Sequence, residues 1–173
     1  MATTYKAIAT VTVGSGGASS IDFTSISSAY TDLVLVYSLR QDTDDRSIKV
    51  TFNGNTSSIY TLTGVFGSAS TVYNQSDANA TSFMAGTGSA PSPATANTFG
   101  NCSMYIPNYA STTINKSVSF DHTSENNAAG NAGDAIFSGL WASTSAINQI
   151  TITPWASKFV QYSTAYLYGI KNS

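Results

Sequence analysis

Apolar side chains recur at every second position along most of this chain. Helix formers are too scarce to override that spacing, and glutamate occurs once, at Glu125. Successive side chains of an extended backbone point to opposite faces, so the alternation reads as half-buried β-strand. It predicts strands over Tyr5–Val13, Ser20–Phe23, Ser47–Phe52, Phe99–Pro107, Lys116–His122, Ala135–Ala142, Gln149–Thr153 and Ser163–Lys171. Asp32–Arg40 is almost continuously apolar and suggests a central strand covered on both faces. The turn signals Gly14-Ser15-Gly16-Gly17 and Asn53-Gly54-Asn55 punctuate the pattern.

The inward positions follow from the same parity. Ile48, Val50 and Phe52 share one face, as do Cys102, Met104 and Ile106, and Val118 with Phe120; Ile136, Leu140 and Trp141 are the apolar positions of the Ala135–Ala142 strand. Two inward clusters are expected, one of Leu33, Leu35, Ile48, Val50 and Phe52, the other of Trp141, Ile150, Ile152, Leu167 and Ile170. The acidic turn Gln41–Arg46 joins two strands and predicts a hairpin. Ile59–Phe66 is mixed in character and suggests a short helical turn. Asp77–Ala96 is polar, contains Gly and Pro, and reads as a long loop at a functional site or interface. Roughly nine strands without βαβ alternation predict an all-β fold, an antiparallel β-sandwich that is jelly-roll-like. One domain is expected over 1–173, with an extended N-terminal segment 1–6 and the loop 77–96.

Charge narrows the function. Asp, Glu, Lys and Arg make up 9% of the 173 residues, the net charge is −2 and the pI about 5.0. Typical soluble domains carry about 25% charged residues. Seven Lys and Arg spread from Lys6 to Lys171 form no basic patch, which argues against nucleic acid and against an anionic membrane surface. No apolar run approaches the roughly 20 residues of a membrane helix, and Met1–Tyr5 has no secretory character. The surface is therefore built from Ser, Thr, Asn, Gln and Tyr.

Chemistry finds little purchase. Cys102 is the only cysteine and His122 the only histidine, too few for a disulfide or a Cys/His zinc site. Asp121 adjoins His122, but neighbours on a strand face opposite ways, so Asp121 is poorly placed to orient it; His122 reads as a surface or strand-end residue. Asp42, Asp44 and Asp45 resemble a cation loop only in part, since Ser47 and Asn53 stand where an EF-hand needs Gly and Glu. They read as an acidic turn offset by Arg40 and Arg46. No carboxylate pair among Asp121, Glu125 and Asp134 is marked for glycoside hydrolysis. No catalytic, cofactor-binding or metal residue is assigned. The aromatics remain: Tyr166 and Tyr168 share a strand face and suit packing, while Tyr73, Tyr105, Tyr109 and Tyr162 are candidates for surface contact.

Six segments carry a likeness: Tyr5-Lys6-Ala7-Ile8-Ala9-Thr10, Ile21 to Leu33, Phe52-Asn53-Gly54-Asn55-Thr56, Ile106-Pro107-Asn108-Tyr109, Gly139 to Thr151 with Leu140-Trp141-Ala142-Ser143-Thr144, and Tyr166-Leu167-Tyr168-Gly169-Ile170-Lys171. Through them the chain resembles small virion structural proteins of tailed phages, notably phages of aquatic bacteria. The resemblance implies a non-enzymatic structural role on the outer surface of a virion made in a host cytoplasm, with no catalytic residues to carry over. A complete module starting at Met1, without fibrous repeat or heptad, points to a capsid decoration (cement) protein. It would work as a homotrimer on the major capsid protein. The alternative is a tail-fibre tip or receptor-binding module, with tail proteins or a host surface glycan as partner and Trp155, exposed Tyr and the 77–96 loop as its contact surface.

Overall fold

A computed structural model describes residues 5–68, 71–125 and 133–171. Among these residues there are twelve strands and no helix. The strands are β1 (Tyr5–Thr12), β2 (Ile21–Phe23), β3 (Asp32–Leu39), β4 (Ile48–Phe52), β5 (Tyr60–Ser68) and β6 (Thr71–Ala80). They continue with β7 (Phe83–Ala85), β8 (Gly100–Ile106), β9 (Lys116–Thr123), β10 (Gly133–Trp141), β11 (Ile150–Pro154) and β12 (Thr164–Ile170). An eight-stranded sheet runs β1-β12-β3-β8-β9-β10-β5-β6, and a four-stranded sheet runs β2-β11-β4-β7. Every strand pair is antiparallel. An eight-strand jelly roll divides into two Greek keys; for the eight-plus-four division seen here, the description that fits is the coarser one, a two-sheet antiparallel β-sandwich.

Parity sets the core. β4, β8, β9 and β11 alternate strictly between buried and more exposed positions, with Val50, Phe52, Met104, Ile106, Val118, Phe120, Ile150 and Ile152 inward. β3, between β12 and β8, is buried at Leu33, Val34, Leu35, Tyr37 and Leu39, as a continuous apolar run requires. The two sheets meet through aromatic rings. Phe52 and Phe83 of the small sheet stand edge-on to Trp141 and Tyr60 of the large one, at 5.6 and 5.0 Å between centroids. Edge-to-face rings favour each other electrostatically as well as by the area they bury. The Tyr60 hydroxyl takes a hydrogen bond from Phe52 N and donates to Asn55 O, at 3.1 and 2.9 Å, so this polar tip is satisfied inside the core. Glycine makes room where rings cross a strand: a Cβ on Gly139 would lie 2.6 Å from the Phe83 ring.

Several expectations need correction. The two inward clusters are one, because residues from both sheets form a single hydrophobic core; Ile170 is buried at its margin. β3 and β4 are not a hairpin. They lie in different sheets, and the chain between them bridges instead to Ala90 and Phe159. The stretch 59–66 contains no helical turn; from Tyr60 it belongs to the nine-residue β5. The 77–96 segment is not one loop. Asp77–Ala80 closes β6, Phe83–Ala85 is β7, and only the remainder is irregular. That remainder packs down on the body, burying Thr87, Ser89, Ala90 and Ala94. On β10 the inward residues are Ala135, Phe137 and Trp141, and Ile136 points to solvent at 69% exposure. Of the N-terminal segment 1–6, residues 1–4 lie outside the described residues, and Tyr5 and Lys6 belong to β1.

Candidate functional site

Three groups that could do chemistry, His122, Cys102 and Lys116, are buried. His122 is a core residue, not a surface one. It continues the inward row of Val118 and Phe120, with its ring against those of Phe120 and Phe137. Its Nδ1 pairs with Thr87 Oγ1 at 2.9 Å, while Nε2 has no hydrogen-bond partner among the described residues. Burial pulls its pKa down to about 4, against the opposing pull of Asp134, so the ring is neutral at ordinary pH. Asp121 points to the opposite face and is exposed, as strand parity requires. Burial pushes the Cys102 thiol up to about 12, which removes its nucleophilic form. Lys116 is fully buried, and its Nζ donates to Ile114 O at 2.8 Å and Thr144 O at 3.3 Å; burial lowers its pKa.

The acidic turn is tied to its neighbours. Asp42 accepts from Ser157 Oγ and Lys158 N, and Asp45 from Ser47 N. Arg40, beside this turn, makes its hydrogen bonds elsewhere. Its guanidinium donates to the carbonyls of Ser92, Ala94, Thr95 and Thr98, pinning the 86–98 loop to the end of β3. Among the described residues no three His, Cys, Asp or Glu gather to hold a metal, and no helix is long and apolar enough to cross a membrane.

What the fold leaves open is surface. Its first feature is the outer face of the large sheet, the side turned away from the small one. In the β9-β10-β5-β6 half, Val65, Val72 and Ile136 stand 51%, 76% and 69% exposed. Val65 and Ile136 are directly paired across β5 and β10, and Gly67 separates Val72 from Asp134. With Asp121 and Asp134 beside them they line a shallow apolar depression. The opposite half carries Tyr5 and Tyr105, at 54% and 38% exposure. Tyr105 is anchored: its hydroxyl donates to Asp32 Oδ2 at 2.8 Å, and this contact raises its pKa. Asp32 Oδ1 accepts from Asn108 N at 2.8 Å.

The second feature is a groove of about 590 Å³ between the β6–β7 turn and the small sheet. Trp155, 49% exposed, shares it with Ser76–Ser82, Met84 and Lys49, and Lys49 Nζ sits 4.2 Å from the centre of the Trp155 ring. Trp155 and the start of the 77–96 stretch, distant in sequence, are thus brought together. Of the tyrosines expected at the surface, Tyr73, Tyr105 and Tyr162 are there, and Tyr109 is not. Tyr109 is wholly buried, its hydroxyl donating to Ser27 O and accepting from Tyr30 N at 3.4 Å. The exposed patch on β6 and Ile136 had no signal in the sequence beyond Val72 and Ile136 themselves. Comparison with protein-family models, with curated proteins and with solved structures gives no match.

Proposed function

We propose that this chain is a non-enzymatic structural protein of a tailed-phage virion, a capsid decoration (cement) protein on the outer surface of the head. It binds the major capsid protein as a homotrimer and is made in the host cytoplasm. The observation that carries this reading is the broad outer face of the large sheet, with Val65, Val72 and Ile136 exposed together and left uncovered by the described residues. Contiguous apolar exposure of this kind marks protein contact surfaces. A body with so few charges suits such a role, because contacts made by apolar and hydroxyl groups vary little with salt. A protein that binds the assembled shell and not free subunits stabilises the shell by mass action. The likeness of the chain ends to phage virion proteins supports the same setting.

The groove holding Trp155 favours a second reading, a tail-fibre tip or receptor-binding module that takes a host surface glycan. An exposed indole beside hydroxyl and amide groups can stack a sugar ring and hydrogen-bond its hydroxyls. Separating heads from tails and quantifying the protein on each distinguishes the two. Many copies on tailless heads support decoration. A handful of copies confined to the tail overturns it in favour of the glycan reading.

A further inference from the structure

The sandwich has four sheet edges, and they are not guarded alike. In the small sheet both edge strands, β2 and β7, are three residues long. Such short edges offer little for another strand to pair with. In the large sheet β1 carries Lys6 and a bulge between Ala7 and Ala9, two common devices against stray pairing. At the other side, β6 is the longest strand, ten residues, and contains no Lys, Arg or Pro. Its one charge is Asp77.

Charge is divided between the two sides. Residues 61–80, 117–125 and 133–140 carry Asp77, Asp121, Glu125 and Asp134 and no Lys or Arg, whereas the remaining five acids share the rest of the chain with all seven Lys and Arg. Those segments are therefore acidic and the rest net basic, with Lys116 at the start of β9 and Lys49 of the small sheet, which lines the groove beside Asp77, as the cations nearest them.

The ladder registers give this division a geometry. One row of directly opposed residues runs Lys6–Gly169–Leu33–Ile106. Tyr105 opposite Ser119 places Ile106 level with Val118, and the row continues Val118–Gly139–Leu62–Asp77. Lys6 and Asp77 are thus the two ends of one row, on the same face of the sheet. Because all neighbours in an eight-stranded sheet alternate in direction, β1 and β6 run opposite ways. If the sheet of one copy continues into the next, β6 meets β1 antiparallel and Asp77 lies across from Lys6. The same counting sets Gln75 against Ala9 and Tyr73 against Val11, with no like charges opposed. Opposite charges across an antiparallel pair favour the register, and like charges disfavour others.

We infer that the β6 edge of this protein is a docking strand for the β1 edge of a second copy, with Asp77 and Lys6 as the pair that sets the register. This deepens the homotrimer part of the proposed function and rests on it, but not on where the trimer sits. Such a contact is head-to-tail, so it repeats from copy to copy, and the proposed homotrimer is the ring in which three such contacts close. Lys6, a guard against strands in general, is matched by the one carboxylate on the partner edge.

The test is the native mass and dissociation constant of the wild-type protein, Lys6→Asp, Asp77→Lys and the double swap, with circular dichroism confirming that each is folded. Val72→Lys, which puts a cation on the edge strand at an exposed position, is a further variant that leaves the core untouched. The expected result is a wild-type trimer, association weakened about tenfold or more in each single variant, and recovery in the double swap. Trimers indifferent to all four changes would overturn the edge assignment and leave the trimer itself standing. A wild type that stays monomeric at high concentration would overturn both, while its binding to heads, measured separately, would still bear on decoration.

Discussion

The two halves of the large sheet turn the same kind of surface outward and use it differently. In the β1-β12-β3-β8 half, the exposed Tyr105 is tied inward through Asp32 to the Asn108 turn. In the β9-β10-β5-β6 half, Val65, Val72 and Ile136 are exposed side by side with no such tie. The inner faces are alike, both built from alternating apolar residues in one core. The difference therefore lies outside the core. One half ties its exposed Tyr105 into its own architecture; the other presents apolar side chains that the described residues leave uncovered. On the proposed function, residues of the second kind are the ones that face a partner.

The largest effect belongs to the inner face, where the comparison predicts no asymmetry between halves. Trp141, 1% exposed and ringed by Phe52 and Tyr60, is expected to cost about 3–5 kcal/mol when truncated to Ala, read by thermal or chemical unfolding. Its Nε1 has no hydrogen-bond partner among the described residues, so Trp141→Phe removes an unsatisfied donor and should cost less than half as much. An unchanged melt for Trp141→Ala would break the claim that this half is packed as firmly as the other.

Next comes pH, which acts on the acidic half through His122. Its pKa is about 4 in the folded protein against an ordinary 6.5, so between these values the unfolded chain binds more protons. Stability is then fully present above pH 6.5, falls as pH drops towards about 4, and loses no more from this group below that. The loss amounts to about 3 kcal/mol. His122→Phe should flatten the stability profile in this window, leaving only the titration of carboxylates. A wild-type profile flat from pH 6.5 to 4.5 would show that the ring is not held neutral.

The smallest effects separate the outer faces. Tyr105→Phe deprives the buried Asp32 of a donor and should cost about 1 kcal/mol. Ile136→Ser should change stability by no more than about 0.5 kcal/mol, as for surface positions without a structural tie. Equal costs for the two would erase the contrast.

The sequence made the inward faces of β4, β8, β9 and β11 readable, because strict alternation leaves one choice of face. It could not show which strands pair. The acidic stretch 41–46 looks like a hairpin turn, yet Gln41 N bonds to Ala90 O and the chain passes into the other sheet. Period two specifies a face, not a neighbour. Thr71–Ala80 escaped as a strand because it has no apolar alternation; only its pairing with β5 makes it one. His122 was readable after all, since it shares parity with Val118 and Phe120, and its position near a strand end outweighed that signal. Tyr109 sits in a turn, where no periodicity applies, and is buried by contacts with Ser27 and Tyr30. Of the candidate surfaces, Trp155 and the 77–96 stretch were nameable in sequence, but their meeting in one groove depends on the sheet order.

The most direct test of the account is the binding of Ile136→Ser to purified tailless heads, compared with wild type and with Tyr105→Phe. If the untied apolar half of the outer face is where this protein meets a shell, Ile136→Ser keeps its fold and melting temperature but loses head binding by about tenfold or more, while Tyr105→Phe, though less stable, binds as wild type does. Heads that take up Ile136→Ser as well as wild type, or that bind neither, would contradict it.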